Sequence, residues 1–280
     1  MRDVPDLGAI RFRQHRDAGA ALNATFGLLR ANARELATSY VALIVPMLLA
    51  SALSSMLWLN QIGDVFSNPE SIGSDPMLFG GAYFGSLAFG MVGGALMQAA
   101  ASGYVRLYRE GAAGTITIAD LWEASRGLIL PYLGMTLLLI VIAILTAVIN
   151  IIPCLGALAW LALIVWLLPQ YSVAVAARAL EAESVAEAWA RARVLVKGSW
   201  GFAFGTLLLS FSVLLLLYIG MSIVLGGLFS VVGTTSTDPS DAILGLGLVL
   251  APLQVLLGVA YLVPLVAAFF VHGRLVEEVE

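Results

Sequence analysis

Charge is what this sequence has least of. Asp, Glu, Lys and Arg make up 11% of its 280 residues, while hydrophobic types take 60%. A water-soluble domain carries about a quarter charged residues, so the scarcity, together with a mean hydropathy of +0.96, excludes a soluble globular class. Cysteine is almost absent. Cys154 is the single one; it excludes an internal disulfide and, in the turn Pro153-Cys154-Leu155-Gly156, reads as a small apolar turn residue. The two histidines, His15 and His272, stand near arginines and in no metal-ligand spacing. No HExxH, GxSxG, phosphate-cradling loop or dinucleotide fingerprint occurs. Catalysis needs positioned acids, bases, nucleophiles or metals, so the expectation is a non-catalytic protein with no cofactor, no bound metal and no nucleic-acid partner.

Long apolar runs are what is present. Crossing a hydrocarbon core of about 30 Å takes roughly 20 apolar residues as a helix. Six runs meet that length, near 36–58, 78–101, 128–152, 155–176, 201–231 and 243–271, and none holds an ionisable Asp, Glu, Lys or Arg well inside it. The fold class expected is therefore all-α, a single polytopic membrane domain over residues 1–280 with six transmembrane helices. The polar first 35 residues contain no cleavable apolar segment, so no signal peptide is expected.

Orientation follows from where the basic residues fall. Arg2, Arg11, Arg13, Arg16, Arg30 and Arg34 precede the first span; Arg106, Arg109 and Arg126 lie between the second and third. Arg178, Arg191, Arg193 and Lys197 lie between the fourth and fifth, and Arg274 follows the last. The remaining loops carry only acidic charges, Asp64, Glu70, Asp75, Asp238 and Asp241. The positive-inside rule then puts both termini in the cytoplasm, and the expected location is a bacterial cytoplasmic (inner) membrane.

Residues 184–198, SVAEAWARARVLVKG, read as an amphipathic helix lying in the headgroup layer. Val185, Ala188, Trp189, Ala192, Leu195 and Val196 share one arc; Ser184 and Glu187 form a capping box, Glu187 and Arg191 are spaced for an i,i+4 pair, and Gly198 ends the helix. TIADLWEASR, 117–126, aligns with it without gaps: Thr117 on Ser184, Asp120 on Glu187, Trp122 on Trp189, Arg126 on Arg193. A fainter version starts at Asp17, with the stripe Leu22, Phe26, Leu29, Ala33 and Leu36. Tyr104-Val105-Arg106-Leu107, Ala176-Ala177-Arg178-Ala179 and His272-Gly273-Arg274-Leu275 close the pairs of spans that follow. The pattern predicts three repeats at 17–109, 117–181 and 184–277, each a cytoplasmic interfacial helix followed by a transmembrane hairpin. Gly81, Gly85, Gly90 and Gly94 in the second span allow close helix approach within the chain, or between two copies as a homo-oligomer. Pro46, Pro131, Pro169, Pro252 and Pro264 bend or start spans.

Polar groups at membrane depth are few: Gln254 and Ser212 first, with Ser210 and Tyr218, then Gln98, Asn150 and Gln170 nearer the ends. Each reads first as a hydrogen bond between helices. Trp122 and Trp189 suit the headgroup boundary, and Arg126, Arg191, Arg193 and Lys197 can meet anionic lipid or a membrane or cytoplasmic protein.

RHRDAGAALNATFGLLRANARELATSYVALIVP and LPQYSVAVAARALEAESVAEAWARARVLVKGSWGFAFGTLLL resemble the bacterial membrane proteins grouped with the glycerophosphodiester phosphodiesterase membrane domain. Pro169, Glu183, Ala188, Trp189, Lys197, Gly198 and Trp200 carry the likeness. The resemblance implies a six-span bundle, sometimes fused to a phosphodiesterase domain; the spans and connections take up these 280 residues, so hydrolysis is not carried over. The function expected is a scaffold or accessory subunit whose cytoplasmic helices dock a partner or organise lipid. The alternative is a transporter or channel subunit with its pathway beside Gln254.

Overall fold

A computed structural model describes residues 12–67, 81–112, 114–147, 155–181, 184–235 and 257–279. Every regular element among them is a helix: α1 Ala18–Ala31, α2 Ala33–Leu43, α3 Val45–Ser67, α4 Gly81–Arg109, α5 Ile118–Ala147, α6 Leu155–Leu180, α7 Val185–Gly198, α8 Trp200–Thr235 and α9 Leu262–Val279. Five stretches are long and apolar enough to cross a membrane: Tyr83–Arg109, Ile118–Thr146, Gly156–Leu180, Trp200–Val224 and Leu257–Val279. A sixth is reached if α2 and the first part of α3, bent by 48° where they meet, form one span. Pro46 explains the bend: its ring collides with the carbonyl one turn back and it offers no N–H, so the helix restarts after Ile44.

Two elements differ from the sequence reading. Residues 117–126 are not a separate interfacial helix; they are the opening turns of α5, which runs on to Ala147 through Pro131. Gly127 is followed by no left-handed cap, and hydrocarbon favours keeping backbone groups paired within one helix. The stripe beginning at Leu22 is not the buried face of α1. Ala21, Thr25 and Leu28 are buried instead, and Phe26 is exposed.

Three helix starts nevertheless share one register. Asp17 Oδ1 accepts from Ala20 N at 2.7 Å, Thr117 Oγ1 from Asp120 N at 3.2 Å, and Ser184 Oγ from Glu187 N at 3.3 Å. Counting from those caps, the fourth, eighth and eleventh residues are buried every time: Ala21, Thr25 and Leu28; Leu121, Ser125 and Leu128; Ala188, Ala192 and Leu195. One face of each start is pressed into protein.

The surface each start meets also recurs. α7 lies on α6, with the rings of Trp189 and Tyr171 6.2 Å apart. The start of α5 lies on α4, where Gly103 passes against Ser125. α1 lies on α9, and just ahead of it Phe12 stacks on Phe270 at 4.8 Å. The core is accordingly concentrated toward the ends that carry arginine: Tyr104, Tyr132, Phe269, Phe270 and Leu275 are fully enclosed. Elsewhere the spans present Leu, Ile and Val outward, as on α8 at Leu216 and Ile223, which suits helices that face lipid. Three of the α4 glycines face contacts inside the chain, Gly85 facing Ser54, Gly90 Ser51 and Gly93 Met47, whereas a side chain at Gly81 or Gly94 would meet nothing within 4 Å.

Candidate functional site

Ion pairs gather at the arginine-bearing ends of the helices. Trp122 is 44% exposed on the outer flank of α5, one turn from Arg126, which pairs with Glu123. Both partners of that pair are exposed, so its own contribution is small, at most about 1 kcal/mol. Ile118 and Leu130 are exposed on the same helix, giving an apolar flank with a cation in its middle.

α7 departs from the flat interfacial helix expected. Its apolar arc of Ala188, Trp189, Ala192, Leu195 and Val196 is buried in protein. Trp189, 8% exposed, packs on Tyr171 rather than on headgroups, although it aligns with the exposed Trp122. Arg191 does not pair with Glu187. The Glu187 carboxylate accepts the backbone N–H of Ser184 at 2.8 Å and is held in the capping box, so Arg191 turns to Glu181 at 3.3 Å. Those bonds, the Ser184 N–H first and its hydroxyl second, hold the Glu187 carboxyl below the usual range. Arg193 and Lys197 stay exposed on the opposite face.

His272 is 3% exposed. Its Nε2 lies 2.9 Å from Glu181 Oε1, so Glu181 joins α9, α6 and α7 through His272 and Arg191. Sequence reasoning also gave no role to Tyr132. Its hydroxyl donates to the Val175 carbonyl of α6 at 3.0 Å and meets Ser102 Oγ of α4 at 2.8 Å. One phenol thus ties three helices, and with its proton spent on the carbonyl it accepts from Ser102. Nothing in one-dimensional pattern marks that tyrosine.

Of the polar residues singled out at membrane depth, Gln254 and Asn150 lie outside the described residues, as does the turn residue Cys154. Ser212 donates to the Leu208 carbonyl of its own helix at 2.8 Å, and Ser210 to Leu207 at 2.7 Å. Gln98 accepts from the Tyr171 hydroxyl at 2.9 Å, joining α4 to α6, and Gln170 donates to Trp166 at 3.1 Å. Only the bond between Gln98 and Tyr171 joins two helices; Ser210, Ser212 and Gln170 bond within their own helix, not across helices as expected.

The cavities among the spans are apolar. One of about 710 Å³ is lined by Phe26, Leu36, Tyr40, Val213, Leu257 and Val263; the stripe assigned to α1 forms part of its wall. A cleft of about 330 Å³ between α5 and α6 is lined by Leu139, Ile140, Leu163 and Leu167, with Thr136 and Tyr171 at its polar edge. Such linings accept hydrocarbon chains rather than hydrated solutes. A polar cavity of about 430 Å³ lies beside Arg34, Glu35, Thr38 and Thr117. Its threonine hydroxyls are already committed, Thr38 to the Arg34 carbonyl, Thr115 to the Ala112 carbonyl and Thr117 to Asp120. Among the described residues no three His, Cys, Asp or Glu side chains gather as a metal site.

Compared with protein-family models, curated proteins and solved structures, the chain matches none.

Proposed function

We propose that this is a non-catalytic accessory protein of a bacterial cytoplasmic membrane, built as three hairpins with both termini in the cytoplasm, whose cytoplasmic rim organises anionic lipid. The common register of the three helix starts supports the repeat: equivalent caps at Asp17, Thr117 and Ser184, equivalent buried positions, and each start leaning on the closing helix of another pair. The family likeness noted above suits a six-span bundle of this kind.

One observation carries the functional part. Trp122 and Arg126 stand exposed together on one flank of α5, between Ile118 and Leu130, while Arg193 and Lys197 stand exposed on α7. An indole beside a guanidinium, with aliphatic side chains above it, matches the boundary where headgroups meet acyl chains. Each basic residue near an anionic surface contributes about 1 kcal/mol. The apolar lateral cavities fit the same reading, since acyl chains are what surrounds them.

The test is spin-labelled lipid in vesicles of phosphatidylglycerol and phosphatidylcholine containing the whole protein. Wild type should immobilise the anionic label in preference to the zwitterionic one, with a preference that shrinks at high salt. The triple variant R126Q/R193Q/K197Q should lose most of that preference. Equal immobilisation of both labels by wild type would remove the reading.

A further inference from the structure

Three arginines occupy one position in the closing turns of α4, α6 and α9: Arg106, Arg178 and Arg274. Arg274 is fully engaged. It lies 3.8 Å over the Phe202 ring, pairs with Glu278 at 2.9 Å, and donates to the Arg16 carbonyl. The other two are half-buried, and neither makes an ion pair or hydrogen bond among the described residues. The Nε of Arg178 is wholly enclosed and has no partner. An enclosed guanidinium nitrogen without a partner costs free energy, and the rest of each head remains open to an anion.

Helix geometry brings the two together. Tyr132 Oη lies 2.8 Å from Ser102 Oγ and 3.0 Å from the Val175 carbonyl oxygen, so α4 and α6 are pinned side by side at that level. Arg106 follows Ser102 by four residues and Arg178 follows Val175 by three. Each therefore sits about one turn, roughly 5 Å, further along the same side of its helix, toward the arginine-bearing end. Both cations lie within electrostatic reach of the Tyr132 hydroxyl between them. The nearest acid on α6, Glu181, is turned to Arg191 and His272.

We propose that Arg106 and Arg178 form a binding site for a phosphate group, held between the closing turns of α4 and α6 beneath Tyr132. Two guanidinium forks carried one turn past the same pinning point on neighbouring helices suit the tetrahedral oxygens of a phosphate, which they can engage in pairs. The phosphate is that of an anionic phospholipid headgroup or of a soluble phosphate compound. The site deepens the lipid-organising reading only if its phosphate is lipid-borne. It involves none of Trp122, Arg126, Arg193 or Lys197.

The experiment uses the full chain in nanodiscs and in mild detergent. Binding of inorganic phosphate is measured by calorimetry, and retention of phosphatidylglycerol against phosphatidylcholine by native mass spectrometry. Wild type should bind at least one probe, and R106Q/R178Q should bind it at least tenfold more weakly, while R30Q, at an exposed arginine of α1 outside both sites, binds as wild type. In case the double glutamine variant folds poorly, R106K and R178K keep the charge and lose the fork. Each should weaken binding several-fold with the melting temperature unchanged. Phosphate binding that protects against lipid retention assigns a soluble source; lipid retention without phosphate binding assigns the headgroup. The site is overturned if wild type takes neither probe, or if R106Q/R178Q and R30Q bind alike. R126Q/R193Q/K197Q losing lipid preference while R106Q/R178Q retains its ligand would leave the rim standing and remove this site alone.

Discussion

Gly103 of α4 and Ser125 of α5 touch so closely that the two helices leave no room for a side chain between them. A methyl group at Gly103 would crowd the Ser125 hydroxyl and come within 3.3 Å of the Ser125 backbone nitrogen and 3.4 Å of the Ala124 carbonyl carbon. The backbone cannot retreat without moving Leu121 and Leu128 out of the core. Gly103→Ala is expected to destabilise by about 1 to 3 kcal/mol, the usual cost of overpacking. Gly94→Ala, where a methyl meets nothing within 4 Å, should be neutral. Detergent unfolding curves of the two variants check the contrast.

Tyr132→Phe removes the hydroxyl shared by Ser102 and Val175 while keeping the buried ring. Loss of about 1 kcal/mol is expected, within the range for interhelical bonds in membranes. Because the ring remains, Tyr132→Ala should be several-fold worse in the same unfolding assay. Equal stability of wild type and Tyr132→Phe would show that the three helices are not tied there.

The start of α7 should respond to acid. Bonds from the Ser184 N–H and hydroxyl lower the Glu187 carboxyl below its ordinary 4.5. A carboxylate lowered on folding stabilises the folded form above its unfolded value, and that contribution disappears as pH falls through the folded value. Helix protection around residues 185–190, followed by hydrogen exchange, should therefore decline below about pH 4.5 in wild type. In Glu187→Gln it should be lower at neutral pH and flatter across the same window.

Gly273→Ala tests the contact between the two ends of the chain. A methyl there would collide with the Phe12 backbone carbonyl, and beside it Arg274 donates to the Arg16 carbonyl. The variant should release the segment around residues 12–16, seen as faster proteolysis between Phe12 and Asp17, with the α4 and α5 contact unaffected. Unchanged cleavage would mean that the segment is held by other contacts.

The spans and caps were legible because each is written locally. Long apolar runs announce helices that cross lipid, and Asp17, Thr117 and Ser184 announce starts through their own side chains. Pro46 marked the bend before α3 for the same reason. Which side of a start faces protein was not legible, because alanine, threonine and serine at Ala21, Thr25 and Ser125 carry no hydrophobic signal yet fit where helices approach closely. Phe26 and Trp122 face outward, where lipid replaces water and an exposed aromatic is no penalty. Trp189, in register with Trp122, is enclosed because Tyr171 stands opposite it. The partners of Glu181 were equally hidden, since His272 lies 91 residues away in the chain and meets it only through the packing of α9 on α6. Arg106 and Arg178 were visible as a repeated closing residue, but their lack of counter-charges is a property of three dimensions.

Sidedness decides the account most directly. In a chain whose Cys154 has been changed to serine, single cysteines are placed at Ser74 and at Lys197 and probed in intact cells with a membrane-impermeant maleimide. The prediction is modification at position 74 from outside, and modification at 197 only after the membrane is opened. Labelling of 197 in intact cells would put the basic rim on the wrong side of the membrane and contradict the assignment from which the lipid-organising role follows.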